Sequence, residues 1–433
     1  MKKEKGRSIV VRVAIALMCT FMVTTLVTVS CASQKTTVKA INAVTVVQPL
    51  IDPNGPIVAS YIRTWPIGST VADMDSGLHW TADDIKGEYL TDLIIAFALI
   101  NPEDGSSIYI KDMEDQPSST DPSVMVSGFH SLWNEIAILQ ARYPHLNINL
   151  SIGGYGAEGF SDMAFDPALR ASFIANVISW VNEKGLDGVD IDWEYPVGPE
   201  WGLPIKTRPE DRKNYLSLLS ELRTALNALG NTTGKTYKLS TAVPASGWFI
   251  GANDVVAASK IVDALKIMSY DYYGSWSGTT GHTANLYNNP SDPEWGGWSS
   301  DQALKAYLEA GVSPAKIVIG AAFYGRAWTG VSAGNTNGLF QKYTESAYPD
   351  GISIGDVKKL LASNEGYIRY WDNIAKAPFL YNGTTFITYT DEEAIKEITS
   401  YAKAQGLAGV MNWEYAHDIN AELLKHLASG IQK

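Results

Sequence analysis

Residues 187–194 read Asp-Gly-Val-Asp-Ile-Asp-Trp-Glu and place four carboxylates inside an otherwise apolar segment. Side chains alternate between the two faces of a strand, so Asp190, Asp192 and Glu194 share one face while the apolar residues between them point the other way. Asp187 has the wrong parity for the acidic face and needs a separate role. Negative neighbours raise the pKa of a carboxyl group, which acid catalysis requires. The stretch therefore predicts a strand that ends in a carboxyl with an adjustable pKa.

The N-terminus has the pattern of an export signal. An apolar run over residues 13–29 follows a cluster of basic side chains at Lys2, Lys3, Lys5, Arg7 and Arg12. This order is typical of a secretory signal peptide, and we expect residues 1–32 to be removed by cleavage after Ala32. Cys31 at the end of the run leaves a lipid-modified cysteine as the alternative. The protein is then secreted or anchored at the cell surface through Cys31, with no integral membrane span in the mature chain.

Charge and composition narrow the classes of partner. The two cysteines, Cys19 and Cys31, lie in or at the edge of the signal, so the mature chain has no internal disulfide. The net charge of −12 and the absence of a basic run beyond the signal exclude nucleic acid as the expected partner. An acidic protein also does not attract an acidic polysaccharide, so a neutral substrate is favoured. The 13 tryptophans supply both core residues and flat surfaces for stacking on sugar rings.

Short apolar runs alternate with helical patterns along the chain. The predicted strands are Ile57–Ile62, Leu93–Leu99, Ile148–Gly153, Gly188–Glu194, Leu239–Val243, Leu265–Tyr270, Ile317–Tyr324 and Gly409–Trp413. The predicted helices are His130–Arg142, Pro167–Lys184, Pro209–Leu229, Asn253–Ser259, Ser299–Ala310 and Asp391–Gln405, with Pro167 and Pro209 as first-turn residues. Near-continuous Val, Ile and Leu strands predict a parallel sheet that is buried on both faces. The fold class is therefore α/β, a (β/α)8 TIM barrel with functional groups at the C-terminal ends of its strands.

The barrel pattern is interrupted once. A loop as long as residues 329–387 without structure of its own is uncommon in a compact domain, so this stretch predicts a small α+β insertion between strand 7 and helix 7. We expect it to form one wall of a cleft over the catalytic face. The predicted organisation is a signal peptide (1–32), a lead-in (33–55), a catalytic barrel (56–328 and 388–433) and the insertion. We expect a monomer.

Five segments together carry a family resemblance. The signature DxxDxDxE at Asp187–Glu194 is joined by SxGG at residues 151–154, MxYD at residues 268–271, Phe-Tyr-Gly-Arg at residues 323–326 and Gly409–Trp413. In these motifs the chain resembles family 18 glycoside hydrolases, the chitinases, from about Pro56 to His426. The insertion resembles the one in bacterial chitinases with a deep cleft.

The resemblance implies a mechanism in which the substrate supplies the nucleophile. In this family the 2-acetamido carbonyl of the sugar attacks its own anomeric carbon, and water later opens the oxazolinium ion with retention. Glu194 is expected to act as general acid and then as general base. Asp192 is expected to orient the acetamido N–H and to share a proton with Asp190, and Tyr270 to hold the acetamido oxygen. No cofactor and no metal are expected.

The same resemblance implies a set of substrate contacts. Trp413 would form the floor under the distorted sugar, Asp271 would contact the sugar beside it, and Tyr155 and Trp276 would line the product side. Further wall contacts are expected from Tyr61, Met268, Arg326 and Tyr324. Structural roles are expected for Asp187, Ser151, Gly153 and Gly154. The expected partner is chitin or its oligosaccharides.

Other interpretations remain beside this one. An acidic strand is commonly a solvated edge strand, but an apolar opposite face favours a central strand. Clustered carboxylates could also bind Ca²⁺ or Mg²⁺, although the family that the chain resembles needs no metal. On the same scaffold, the alternatives are an endo-β-N-acetylglucosaminidase acting on the chitobiose cores of glycoproteins and an inactive chitin-binding lectin. Glu194 argues against the lectin, and the insertion argues against the endoglycosidase.

Overall fold

A computed structural model of the chain describes residues 44–66, 78–110, 132–199, 202–294 and 298–432. The predicted signal peptide, Cys31 and the first part of the lead-in lie outside these residues. Within them, the strands in chain order are β1 (Ile57–Arg63), β2 (Asp92–Ile100), β3 (Ile108–Tyr109), β4 (Asn147–Tyr155), β5 (Gly188–Glu194), β6 (Lys238–Pro244), β7 (Ala264–Met268), β8 (Ile317–Ala322), β9 (Tyr324–Thr329), β10 (Glu345–Ser353), β11 (Ile368–Asp372), β12 (Ala377–Tyr381), β13 (Thr385–Thr388) and β14 (Gly409–Trp413). The helices are α1 (Leu132–Arg142), α2 (Phe160–Phe165), α3 (Pro167–Glu183), α4 (Asp211–Thr233), α5 (Gly247–Ala252), α6 (Val255–Ile261), α7 (Ser300–Ala310), α8 (Ile354–Ala362), α9 (Glu392–Ala404) and α10 (Glu422–Gln432).

A closed parallel barrel forms the body of the molecule. The ring runs through β1, β2, β4, β5, β6, β7, β8 and β14, and it closes because β1 pairs with both β14 and β2. Its strands are buried on both faces, as in β5, where every residue except Glu194 is buried. The short strand β3 pairs antiparallel with the end of β2 outside the ring. The prediction of an α/β barrel is confirmed.

Two barrel strands end earlier than the sequence predicts. β7 ends at Met268 instead of Tyr270, and β8 ends at Ala322 instead of Tyr324. Beyond β7 the chain leaves the barrel, and Asp271 adopts a left-handed backbone conformation with φ of 58°. Tyr270 and Asp271 are therefore not consecutive strand residues, and the alternation of faces does not separate them.

Helix starts follow the capping residues. Pro167 begins α3, and the Asp166 carboxylate accepts hydrogen bonds from two backbone N–H groups of the first turn. The prediction that Pro209 is a first-turn residue is wrong, since α4 begins at Asp211. The Asp211 carboxylate accepts the backbone N–H of Arg208 at 2.8 Å, which closes a turn ahead of the helix.

A second, antiparallel sheet has the strand order β10-β9-β13-β12-β11. Its first strand, β9, begins directly after β8 and before the predicted boundary at Thr329. A small core lies between this sheet and α8, formed by Ala327, Ile352, Val357, Leu380, Ile387 and Tyr389. Across the described residues, no helix combines the length and the apolar character that crossing a bilayer requires.

Candidate active site

Asp190 lies at the centre of a buried hydrogen-bond network inside the barrel. Its Oδ2 accepts hydrogen bonds from the hydroxyls of Tyr61 and Ser151, both at 2.9 Å. Its Oδ1 accepts from the Ser240 hydroxyl at 2.6 Å and from Lys266 Nζ at 2.9 Å. Burial opposes ionisation, but the charge of Lys266 and these hydrogen bonds outweigh it and lower the pKa of Asp190. Asp190 is therefore an anion held by donors from four different strands.

Asp192 lies on the same face of β5 in the opposite electrostatic situation. It is buried, and among the described residues its Oδ1 has no hydrogen-bond partner. Burial, together with the negative charges of Glu194 and Asp190, raises its pKa well above the ordinary value, despite the nearby Lys266. Proton sharing between Asp190 and Asp192 stays a prediction. Because other donors occupy both oxygens of Asp190 and the pKa of Asp192 is raised, the geometry favours Asp192 as the protonated member of the pair.

Glu194 ends β5 at the C-terminal face of the barrel and is half-buried. Burial raises its pKa to about 7, a hydrogen bond with Tyr195 opposes this rise, and the negative charge of Asp271 adds to it. Burial is thus the larger cause, and neighbouring charge contributes less than the sequence suggested. A carboxyl group with a pKa near 7 can both donate and accept a proton at neutral pH.

The two glycines after Ser151 make room for their neighbours. A Cβ on Gly153 would lie 2.0 Å from the backbone oxygen of Asp192, so only glycine allows β4 and β5 to approach this closely. A Cβ on Gly154, whose φ is 97°, would lie 2.6 Å from the ring of Phe97. Phe97 in turn stacks against Trp413, with ring centroids 5.5 Å apart and an interplanar angle of 14°. Trp413 is thereby held as a flat, partly exposed surface at the end of β14.

The chain after β7 and the start of β9 meet over the barrel. Arg326 donates from Nε and Nη2 to Oδ1 of Asp271 at 2.9 and 2.6 Å, and its guanidinium lies over the rings of Trp276 and Tyr324. Tyr270 packs edge-on against Tyr324 at 6.3 Å between ring centroids. Burial is the main reason why the pKa of Tyr270 lies well above its ordinary value. The second sheet therefore supplies an arginine to the C-terminal end of the barrel.

Two aromatic side chains at this end of the barrel are exposed to solvent. Tyr155 is 68% exposed and Trp276 is 55% exposed. Tyr155 ends β4 and pairs in register with Glu194 across the two strands. The Trp276 ring lies over Gly274, where a Cβ would approach it to 2.4 Å. Exposed aromatic rings beside an acidic group are surfaces on which a sugar can stack.

Two residues that are expected as wall contacts are almost fully buried. Tyr61 is 2% exposed and its hydroxyl is bound to Asp190, and Tyr324 is 3% exposed beneath Arg326. Both rings are buried and offer no exposed surface, and each contacts another residue of the candidate site: Tyr61 binds Asp190, and Tyr324 lies under Arg326. Met268 is half-buried at the last position of β7.

Asp187 lies just before β5. Its Oδ2 accepts the backbone N–H of Ile148 at 3.0 Å, and its Oδ1 is 3.5 Å from Nζ of Lys235. It joins the starts of β4 and β5.

The sequence interpretation missed several residues of the site: Lys266, Ser240, Phe97 and Tyr195. Lys266 carried a recognisable signal, since it is a charged residue within an apolar strand and has the same parity as Met268 and Tyr270. Among the described residues, no three His, Cys, Asp or Glu side chains are grouped so that they could hold a metal ion.

Comparison with known proteins gives consistent matches. The model of "Glycosyl hydrolases family 18" matches residues 59–418. Chitinase A1 of Niallia circulans is 35% identical over 317 residues, which cover 69% of this chain and 44% of that protein. Chitinase B of Serratia marcescens is 29% identical over 368 residues, with 71% of each chain covered. The chain spans about half the length of the first curated relatives it matches, which include a probable endochitinase of Caenorhabditis elegans covered to 56%.

Solved structures show the same relationship. A family 18 N-acetylglucosaminidase from Paenibacillus barengoltzii matches with a TM-score of 0.70 and 34% identity, covering 87% of this chain and 100% of that one. Chitinase ChiA74 from Bacillus thuringiensis matches with a TM-score of 0.73 and 28% identity, covering 87% and 70%. The family model covers most of the barrel and all of the site described above, and the chain belongs to glycosyl hydrolase family 18.

Proposed function

We propose that the protein is an exported chitinase that hydrolyses β-1,4 linkages between N-acetylglucosamine units by substrate-assisted, retaining catalysis. The observation that carries this proposal is Glu194, a carboxyl group with a pKa raised to about 7 at the C-terminal end of a barrel strand. The family membership and the chitinase names of the relatives support the same activity.

The charge state of the acidic strand favours substrate assistance. An enzyme nucleophile of this class must be an ionised carboxylate. Asp190 is ionised but buried, with both oxygens bound to other side chains, and Asp192 holds its proton because of burial and its negative neighbours. Neither carboxyl is suited to attack an anomeric carbon. The acetamido oxygen of the substrate then supplies the missing nucleophile.

Each step uses a residue of the barrel end. Glu194 protonates the leaving glycosidic oxygen while the acetamido carbonyl forms its bond to the anomeric carbon, and the resulting carboxylate takes a proton from the water that opens the oxazolinium ion. Asp192 orients the acetamido group, and Tyr270 holds its oxygen. Trp413 supports the distorted sugar. Tyr155 and Trp276 stack on sugars further along the chain.

The first test compares wild type with Glu194→Gln on chitin oligomers. We expect the variant to lose at least about 100-fold in kcat, since general acid–base catalysis contributes roughly 10²–10⁴, while oligosaccharide binding measured by calorimetry is retained. Fully deacetylated oligomers of the same length serve as the substrate control. Their cleavage at a comparable rate would exclude substrate assistance.

Product analysis separates the alternatives. Release of short chitin oligosaccharides with the β-anomer formed first supports the chitinase, whereas release of glycans from a glycoprotein with intact chitin oligomers supports the endo-β-N-acetylglucosaminidase. Release of single sugars only would favour an N-acetylglucosaminidase, the kind of enzyme that the Paenibacillus barengoltzii relative is. Binding of chitin without any hydrolysis would favour the lectin.

We further propose the molecular context expected from the sequence. Residues 1–32 direct export, with Cys31 as an alternative lipid anchor, and the catalytic unit acts as a monomer with residues 329–387 as its insertion. Mass spectrometry of the mature N-terminus distinguishes cleavage after Ala32 from a lipidated Cys31. Sedimentation of the exported protein measures its oligomeric state.

A further inference from the structure

A lysine lies beneath the acidic strand, inside the barrel. Lys266 is 4% exposed and lies on β7 between Leu265 and Ile267, which are both buried. Its Nζ is 2.9 Å from Oδ1 of Asp190 and 2.6 Å from the hydroxyl of Ser240. An ammonium group is costly to bury unless a negative partner compensates it, so this lysine and Asp190 form a buried ion pair.

Within the part of the chain that the structure describes, the other groups that bind Asp190 supply no positive charge. Tyr61 on β1, Ser151 on β4 and Ser240 on β6 donate neutral hydroxyls, and Tyr215 on α4 binds Thr241 instead of the carboxylate. Hydrogen bonds from three neutral hydroxyls stabilise a carboxylate less than the same three bonds together with a charge-assisted bond from an ammonium group. The negative charge of Asp190 at this depth therefore depends on the Lys266 ammonium.

Asp192 faces a different set of groups. It is surrounded by Glu194 and Asp190 on its own strand and by the phenols of Tyr195 and Tyr270, and its Oδ1 has no hydrogen-bond partner among the described residues. The phenols of Tyr61 and Tyr215 also lie in its field. Among the described residues, Lys266 is the positive charge that acts on both carboxyls of the pair. Of the two carboxyls it hydrogen-bonds Asp190 and not Asp192, so it distinguishes two otherwise similar groups.

We propose that Lys266 is a positioning residue of the hydrolysis: it holds Asp190 as a permanent anion, so that the proton of the buried pair stays on Asp192, next to Glu194 and the substrate. The inference rests on the proposed function, because it assigns a role within that mechanism. Without the ammonium, Asp190 competes for the proton, and Asp192 is no longer held in one protonation state when the substrate arrives.

The test is a double-mutant cycle with Lys266→Met, a neutral side chain of similar length, and Asp190→Asn. We expect Lys266→Met to lower kcat on chitin oligomers about 10-fold or more, which corresponds to about 1.4 kcal/mol, with KM changed less than about threefold and the acidic limb of the pH profile moved to higher pH. In the Asp190→Asn background, where no charge is left to compensate, the same substitution should change kcat less than about twofold. Equal losses in both backgrounds, or no loss and an unmoved pH profile in the first, would overturn the proposal.

A spectroscopic readout separates this inference from the proposed function. The readout is ¹³C NMR of protein labelled at the aspartate carboxyls, in which the Asp190 signal is assigned by its loss in Asp190→Asn. We expect Asp190 to remain ionised from about pH 4 to 8 in wild type and to bind a proton within that range in Lys266→Met. An Asp190 that stays ionised in Lys266→Met refutes the role of the lysine even in an active enzyme. An inactive wild type with the expected titration refutes the proposed function alone. If Lys266→Met does not fold, the double variant Lys266→Met/Asp190→Asn must fold, because it leaves no unpaired charge. If the double variant also fails to fold, the ion-pair argument is contradicted.

Discussion

The contact between Gly154 and Phe97 gives a prediction with a matched control. Gly154→Ala places a Cβ 2.6 Å from the Phe97 ring, at a backbone φ of 97°. Gly156→Ala is the control, because Gly156 has a similar φ of 80° and nothing lies within 4 Å of its Cβ position. The two substitutions share the backbone cost and differ in the clash.

The expected magnitudes follow from these two terms. A left-handed conformation costs an L-residue about 1–2 kcal/mol, and the loss of glycine freedom in the unfolded chain returns about 0.4–1 kcal/mol. The control should therefore lose about 1 kcal/mol of unfolding free energy. Gly154→Ala carries an additional overpacking cost of about 1–3 kcal/mol. We expect it to be less stable than the control by this additional amount.

Urea unfolding measures the stability difference, and kcat/KM on chitin oligomers measures its functional effect. Phe97 supports the ring of Trp413, so displacement of Phe97 should lower kcat/KM by up to about 100-fold, the loss that a misplacement of about 1 Å can cause. The control should retain its kcat/KM. In a Phe97→Ala background the extra cost of Gly154→Ala should disappear. Equal destabilisation by Gly154→Ala and Gly156→Ala would refute the packing argument.

Three further predictions concern the acid, the stacking surface and a buried aspartate that contacts a histidine. The pKa of Glu194 is raised from 4.5 to about 7, so the ionisation of Glu194 destabilises the folded state as pH rises through 7. In urea titrations, Glu194→Gln should therefore be more stable than wild type by about 3 kcal/mol at pH 9 and equal to it at pH 4. A stability difference that does not depend on pH contradicts this. Trp276→Ala should raise KM for long oligomers about 2- to 10-fold at unchanged kcat through lost stacking. Leu50→Ala is the control and should leave KM unchanged, because Leu50 is 68% exposed and its backbone N–H binds the carbonyl of Glu88, ahead of β2 and away from the site. Hydrogen bonds from His282 and from the backbone hold the pKa of the Asp372 carboxyl below its ordinary value, against the effect of burial. The Tm of wild type should therefore decrease when the pH is lowered below about 4, whereas Asp372→Asn, which is less stable at neutral pH, should show a weaker decrease in acid. Parallel curves of Tm against pH would exclude this contact as a source of acid sensitivity.

Local patterns predicted most of the barrel because each strand carries its own signal. The alternation of acidic and apolar residues in β5 predicted that Asp190, Asp192 and Glu194 lie on one face of the strand. Near-continuous apolar runs predicted the positions of the remaining strands. The predicted ends of β7 and β8 were wrong because an apolar or aromatic residue just after a strand cannot be distinguished by its type from one within the strand. Tyr324 illustrates this, since it continues the apolar run of β8 but belongs to a different sheet.

The charge states within the site required tertiary information. The sequence shows that Asp190 and Asp192 share a face, but it does not show that donors from β1, β4, β6 and β7 converge on only one of them. The assignment of the proton to Asp192 depends on that convergence. Similarly, the stacking of Phe97 against Trp413 brings together residues that are far apart in the chain, which no local pattern encodes.

The pairing of β9 with both β10 and β13 limits how the enzyme can be shortened. Excision of residues 329–387, at the boundaries drawn from the sequence, would remove both neighbours of β9 and leave it as an open, aggregation-prone edge. It would also uncover Trp328, which is fully buried, and free the strand that holds Arg326 against Asp271. A version of the chain without the second sheet would have to be cut directly after β8, with a new partner supplied for Asp271. The second sheet is thus joined to the barrel by the direct succession of β8 and β9 and by the contact between Arg326 and Asp271.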